Sequence, residues 1–87
     1  VGVAIEILYF ARVREAIGRS RETISPPPEV VTVGDLIDWL SGRGPGYAEA
    51  FADRARLRAA IGQEFVGADA AIAGAREIAL FPPVTGG

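Results

Sequence analysis

The residues in this sequence best suited to chemistry are its last seven, Phe81-Pro82-Pro83-Val84-Thr85-Gly86-Gly87. The reacting group among them is the terminal carboxylate of Gly87, a group to be worked on inside another protein's active site. Pro82 and Pro83 fix φ and offer no backbone N–H, so a strand running through Leu80 must stop pairing there. A Pro-Pro pair favours the extended polyproline II conformation, which makes the exit stiff. The five residues from Pro83 to Gly87 reach at most roughly 17 Å. Gly86 and Gly87 have no Cβ to block a narrow channel, so the glycines serve access more than flexibility. The ordinary alternative is a frayed terminus. An apolar strand, two prolines and then two glycines favour function.

The remaining side chains exclude most other chemistry. The sequence contains no Cys and no His, so it has no Cys/His nucleophile pair, no Ser-His-Asp triad and no His- or Cys-ligated metal site. All nine basic residues are Arg, which excludes Schiff-base chemistry and any side-chain isopeptide with another copy of the chain. Asp35 and Asp38 stand three apart and invite an acid–base or metal reading, but a helix cap and a solvated surface residue account for them better. Arg54, Arg56 and Arg58 form a cluster that could hold an anion, but Glu49 and Asp53 lie nearby and a mixed-charge surface is the default. The loop Gly42-Arg43-Gly44-Pro45-Gly46 lacks the Gly-Lys-Ser/Thr ending of a phosphate-binding P-loop.

Eighty-seven residues make one domain with a small core. A formal net charge of −2 argues against a nucleic-acid binder. No apolar run approaches membrane-spanning length and no signal-peptide pattern opens the chain. The absence of cysteine rules out a disulfide scaffold and is compatible with a cytoplasmic location.

The elements that must position the tail can be read from the apolar pattern. Residues 3–11 read as a strand, with Ile5, Ile7 and Tyr9 on one face and Glu6, Leu8 and Phe10 on the other. Both faces are largely apolar, which predicts a strand in the middle of the sheet, covered at least partly on each side. Residues 13–17 are mildly helical and end at Gly18. Residues 21–24 form a short, solvent-facing second strand, stopped by Ser25-Pro26-Pro27-Pro28. The best helix signal starts at Thr32, an N-cap with Asp35 as its capping-box partner. Val33, Leu36, Ile37 and Leu40 then make one apolar stripe, with Asp38 facing away and Trp39 flanking. Residues 47–54 form a weaker second helix. Residues 57–61 and 64–66 are two short strands about a Gly62-Gln63 turn. Ile72 anchors the next segment to the core and Gly74 turns it. Residues 77–81 form the last strand, with Ile78 and Leu80 on one face and Glu77, Ala79 and Phe81 on the other. The pattern is α+β, a helix packed on one face of a mixed sheet. Phe65 and Phe81 each stand between two readings, core residue or exposed partner contact.

The ending Leu-Phe-Pro-Pro-Val-Thr-Gly-Gly, the opening Ile-Leu-Tyr-Phe-Ala-Arg-Val-Arg-Glu and the middle Leu-Arg-Ala-Ala-Ile-Gly-Gln resemble the small subunits of molybdopterin synthases. The resemblance covers essentially the whole chain in the same order, and the ending is its specific part. It implies a β-grasp, ubiquitin-like domain over residues 1–81 and an extended Gly-Gly tail over residues 82–87. It also implies a sulfur-donor subunit of a sulfurtransferase complex, a cytoplasmic heterotetramer, with no bound cofactor. A ubiquitin-activating-like adenylyltransferase uses ATP to adenylate Gly87, and a sulfur donor converts the adenylate to a thiocarboxylate. The large subunit then receives the tail, and the sulfur passes to cyclic pyranopterin monophosphate to build the molybdopterin dithiolene. Phe81, Pro82, Pro83, Val84, Thr85 and Gly86 are the implied partner-binding tail, with Phe65 as a further interface candidate. Nucleic acid, membrane and metal have no part in this scheme.

Two positions depart from that family's pattern. Gly62 stands where Asn is common and keeps a residue that tolerates a left-handed turn. Ala73-Gly74-Ala75-Arg76-Glu77 replaces a more acidic turn, which bears on ionic contacts with the activating enzyme. Three rival readings remain: a sulfur carrier for thiamine or cysteine synthesis, a ubiquitin-like modifier of protein lysines, and a β-grasp interaction domain with an inert tail.

Overall fold

Side-chain alternation in the strands gives the sheet two unlike faces, and three helices cover only one of them. The structure is a computed structural model that describes residues 4–83. In chain order the elements are β1 (Ile5–Tyr9), α1 (Ala11–Ile17), β2 (Arg21–Ile24), α2 (Val33–Ser41), α3 (Pro45–Ala50), a single 3-10 turn (Arg54–Arg56), β3 (Arg58–Ile61), β4 (Glu64–Val66) and β5 (Glu77–Phe81). The five strands form one mixed sheet in the order β2-β1-β5-β3-β4. β5 runs parallel to β1 and antiparallel to β3.

The middle strand is therefore β5, not β1 as the sequence pattern suggests. β1 is an inner strand, but among the described elements none covers its Leu8 face. β1 is also shorter than predicted, because Phe10 adopts the extended N-cap conformation and Ala11 already starts α1. On the helix side, Ile5, Ile7 and Tyr9 of β1 and Ile78 and Leu80 of β5 pack with Val33, Leu36, Ile37 and Leu40 of α2. Val13, Phe51, Leu57 and Ile72 complete this core. Burying each large aliphatic side chain contributes about 1.5–3 kcal/mol relative to leaving it exposed.

The start of α2 follows its sequence signal. Thr32 Oγ1 accepts from the Asp35 N–H at 3.1 Å, and Asp35 Oδ2 accepts from the backbone N–H groups of Thr32 at 3.2 Å and Val31 at 3.1 Å. These backbone donors hold the Asp35 carboxyl below its usual range. The segment after β4 satisfies two more helix-start amides, from Val33 to the Ala70 oxygen and from Gly34 to the Ala68 oxygen. The same segment buries Ile72, and Gly74 turns it with a φ of 80°. Gly18 caps α1 in the left-handed region, its N–H donating to the Arg14 oxygen. Gly62 and Gln63, with φ of 56° and 73°, make the two-residue turn joining β3 to β4.

α3 departs from its predicted span of 47–54. It begins at Pro45, whose fixed φ suits the first helical position, and it ends at Ala50. Phe51 then turns into the core and is 1% exposed, so the chain leaves the helix to bury it. Gly46 sets how closely α3 approaches α1, since a Cβ there would lie 2.6 Å from the Ala16 carbonyl oxygen.

β2 also differs from the solvent-facing strand expected. Its Ile24 is buried, and the Glu22 side chain is only 7% exposed. The Tyr9 and Tyr47 hydroxyls each donate to Glu22 Oε2 at 2.7 Å. Arg43 donates to Oε1 at 3.2 Å, and Arg19 reaches it at 3.5 Å. The Arg43 guanidinium also lies over the rings of Trp39 and Tyr47, 5.4 and 5.2 Å from their centroids. This carboxylate ties β1, β2 and the α2–α3 region together. Burial disfavours its charge, but the two hydroxyl donors and two guanidinium groups outweigh burial and hold its pKa below the usual value. Burial raises the Tyr9 hydroxyl above its usual pKa, and the bond to Glu22 adds to the rise.

Because Glu22 has a lower pKa folded than unfolded, its contribution is complete above the unfolded value of about 4.3 and fades as pH falls through the folded value. Glu22→Gln is expected to cost about 1–3 kcal/mol at neutral pH. Urea unfolding from neutral pH down to pH 3 should show the gap between wild type and variant closing toward the acid end. A gap independent of pH assigns the loss to packing rather than charge.

Candidate functional site

The uncovered sheet face carries one apolar row. Register places Leu8 opposite Ala79, Ala79 opposite Ala60, and Ala60 opposite Phe65, so the row crosses four strands. Phe65 is 81% exposed, which corrects the core alternative for this residue. It lies on β4, a three-residue edge strand, and the alternation that turns Val66 toward the core turns Phe65 outward. Phe81 follows Ala79 along β5 on the same face and is half-buried. Its ring centroid lies 5.7 Å from that of Phe65, tilted by 45°. The two phenylalanines thus form one surface feature, neither of them part of the main core.

Phe10 belongs with them and was not among the sequence-predicted site residues. It is 46% exposed, and its N–H donates to the Leu80 oxygen at 3.3 Å, beside the end of β5. The signal was present in the β1 alternation, which puts Phe10 on the Glu6 and Leu8 side. Pro82 and Pro83 are half-buried where the chain leaves the sheet. They line a groove of about 470 Å³ with Ala11, Arg12 and Ala16 on the α1 side and Asp53 and Arg56 beyond α3. The tail positions Val84, Thr85, Gly86 and Gly87 lie outside the described residues.

The titratable groups at this exit are Glu49 and Asp53, which line the groove with Arg12 and Arg56. Asp35 is occupied as a cap, and Asp38 is exposed and ion-paired with Arg54 at 2.7 Å. The arginine cluster is dispersed. Arg54 also donates to the Phe51 carbonyl, Arg56 faces Asp53 at 3.8 Å, and Arg58 donates to the Ala55 and Leu57 carbonyls. Among the described residues, no group of three or more His, Cys, Asp or Glu could hold a metal ion, and no helix is long and apolar enough to cross a membrane. The geometry offers an open apolar face beside the point where the chain leaves the sheet.

A mixed sheet in this order, with its helices on one face, is the β-grasp or ubiquitin-like fold. Within that class the chain belongs to the ThiS family, whose model matches residues 7–87. The molybdopterin synthase sulfur carrier subunit of Escherichia coli K12 is 35% identical over 83 residues, covering 95% of this chain and 99% of that protein. A solved structure of a putative molybdopterin converting factor, subunit 1, from Pyrococcus furiosus is 28% identical with a TM-score of 0.73, covering 94% of this chain and 99% of that one. The small archaeal modifier protein 1 of Haloferax volcanii is 27% identical with a TM-score of 0.71, covering 95% of this chain and 100% of that one.

Since Phe65 is exposed, Phe65→Ala should change unfolding free energy by no more than about 0.5 kcal/mol. Phe81→Ala, which removes a half-buried ring, should cost about 1–2 kcal/mol. Chemical denaturation of both variants checks the ordering. Equal, large losses would place Phe65 in the core.

Proposed function

We propose that this chain is the sulfur carrier subunit of a molybdopterin synthase. The observation that carries the reading is its 35% identity, over nearly the full length of both chains, to a protein of that name. The geometry supports it. β5 is held between β1 and β3 and runs directly into Pro82 and Pro83, so the terminal segment departs from the best-anchored strand of the sheet.

In this reading a Gly87 carboxylate oxygen attacks the α-phosphorus of ATP on an activating enzyme, expelling pyrophosphate. A carboxylate is a poor electrophile, whereas the acyl-adenylate has a good leaving group. Sulfur from a donor then displaces AMP and leaves a thiocarboxylate on Gly87. On the synthase, the large subunit receives residues 82–87, and the sulfur passes to cyclic pyranopterin monophosphate. Two such transfers build the dithiolene. Gly87 is a carried reactant, and the large subunit supplies acids, bases and the substrate pocket. The open face bearing Phe65 and Phe81 is the docking surface that aligns the tail. The chain itself binds no cofactor in this scheme, and ATP belongs to the activating enzyme.

A second reading, a protein modifier, is favoured by the likeness to small archaeal modifier protein 1. It needs the same activated carboxylate but delivers it to a lysine.

Intact-mass measurement of the chain co-produced with its activating enzyme should show one oxygen-to-sulfur exchange at Gly87. Absence of both that species and the adenylate rejects the carrier reading, and Gly-Gly remnants on lysines of other proteins favour the modifier. Adding one residue after Gly87 should abolish sulfur delivery without changing the melting curve. Phe65→Asp should weaken capture of the large subunit at least about tenfold.

A further inference from the structure

Two unlike charges flank the apolar row of the open sheet face. On one side, at the start of β5, stands Glu77. Its neighbour in register on β1, Glu6, is already paired with Arg21 at 3.2 Å. Glu77 has no cation within 4.0 Å among the described residues. On the other side, at the start of β3, stands Arg58, in register with Phe81. Its guanidinium donates to two backbone carbonyls and has no carboxylate within 4.0 Å among the described residues. Between them lies the row Leu8, Ala79, Ala60 and Phe65, with no formal charge. Glu77 and Arg58 are separated along the strand direction by four residues, about 13 Å.

We propose that this face also binds a second copy of the chain, face to face, about a two-fold axis lying along the apolar row. A half-turn about that axis reverses the strand direction and keeps each strand opposite its own copy. The apolar row then stacks on itself, and Phe65 meets Phe65 of the partner copy. Each Arg58 comes over the end of the sheet that carries Glu77, displaced sideways by one strand, about 4.8 Å, across sheets about 10 Å apart, a gap that the arginine and glutamate side chains span together. The contact is isologous, so it forms two equivalent ion pairs at once. At the β2 end the register continues the row to Arg21, which meets its own copy on the axis while each Arg21 keeps its pairing with Glu6; the opposite poles at Glu77 and Arg58 make the rest of the face self-complementary.

The size of the face sets the strength. Five strands by about five residues give a footprint of about 400 Å² per copy, half the roughly 800 Å² of a standard stable interface. The dimer is therefore weak and reversible. It covers Phe65 and Phe81 while no other partner is present, and any partner using this face must displace it. The inference does not rest on the sulfur-carrier reading, since a dimer can form whatever the chain delivers.

Sedimentation of the whole chain from about 10 µM to about 1 mM, a range that brackets a weak interface, tests this. A monomer–dimer equilibrium is expected, abolished by Phe65→Asp at the exposed centre. Arg58→Glu and Glu77→Arg should each raise the dissociation constant at least about tenfold, because each brings like charges together twice. The double exchange restores both pairs within one chain and should return the constant to within about threefold of wild type. No partner of fixed charge can produce that rescue, so the result stands whether or not sulfur transfer is found. A chain that stays monomeric at 1 mM, a dimer insensitive to the single exchanges, or a double exchange without rescue each overturns the proposal. Circular dichroism melts of the four variants confirm that the changes act on association and not on folding.

Discussion

The pairing of β5 between β1 and β3 is the constraint on which the rest of the structure depends. It places the last strand of the chain at the centre of the sheet, hydrogen-bonded on both sides, with Ile78 and Leu80 wholly buried beneath α2. A terminal strand on a sheet edge could fray and let the segment after it wander. Here the chain cannot loosen at Leu80 without breaking two ladders, since Leu80 is in register with both Tyr9 and Ala59. The two prolines then stop pairing just where the sheet ends. The fold thus acts as a handle that holds a terminal segment at one fixed point.

That arrangement determines what each face can do. The helices, with α2 capped by Thr32 and Asp35 and α3 fitted closely to α1 at Gly46, take up the apolar residues on one side of the sheet. Glu22 locks the β2 end of this side through four donors, so the carboxylate works as a structural tie and not as a catalyst. The other side is left open with Leu8, Phe65, Phe81 and Phe10 close to the exit of the chain. The same exposure makes the face available to a second copy, and the opposite charges at Glu77 and Arg58 give that contact an orientation.

Much of this was legible in the sequence because it depends on local rules. The capping box at Thr32, the apolar stripe of α2, the span of β5 and the Gly62-Gln63 turn need only neighbours a few residues away. The expectation that the chemistry lies in the tail came by elimination, since a chain without Cys, His or Lys leaves its carboxylates as the main reactive groups. Shared family pattern supplied the sulfur-carrier expectation, and relatives named as molybdopterin synthase sulfur carrier subunits agree with that role.

Features joining distant residues were decided by the tertiary structure alone. Glu22 looked like part of a solvated strand until Tyr47, twenty-five residues away, closed over it. α3 stopped early because Phe51 was drawn into the core, a demand of packing that helix propensity does not contain. Phe65 turned out exposed because it sits on an uncovered edge strand, and sequence alternation tells which residues share a face but not which face receives the helices. The composition by itself excluded Cys, His and Lys chemistry. The strand order decided how firmly the chain is held as it leaves β5 and which aromatic residues stand beside that exit, because only the assembled sheet brings β1, β3, β4 and β5 side by side.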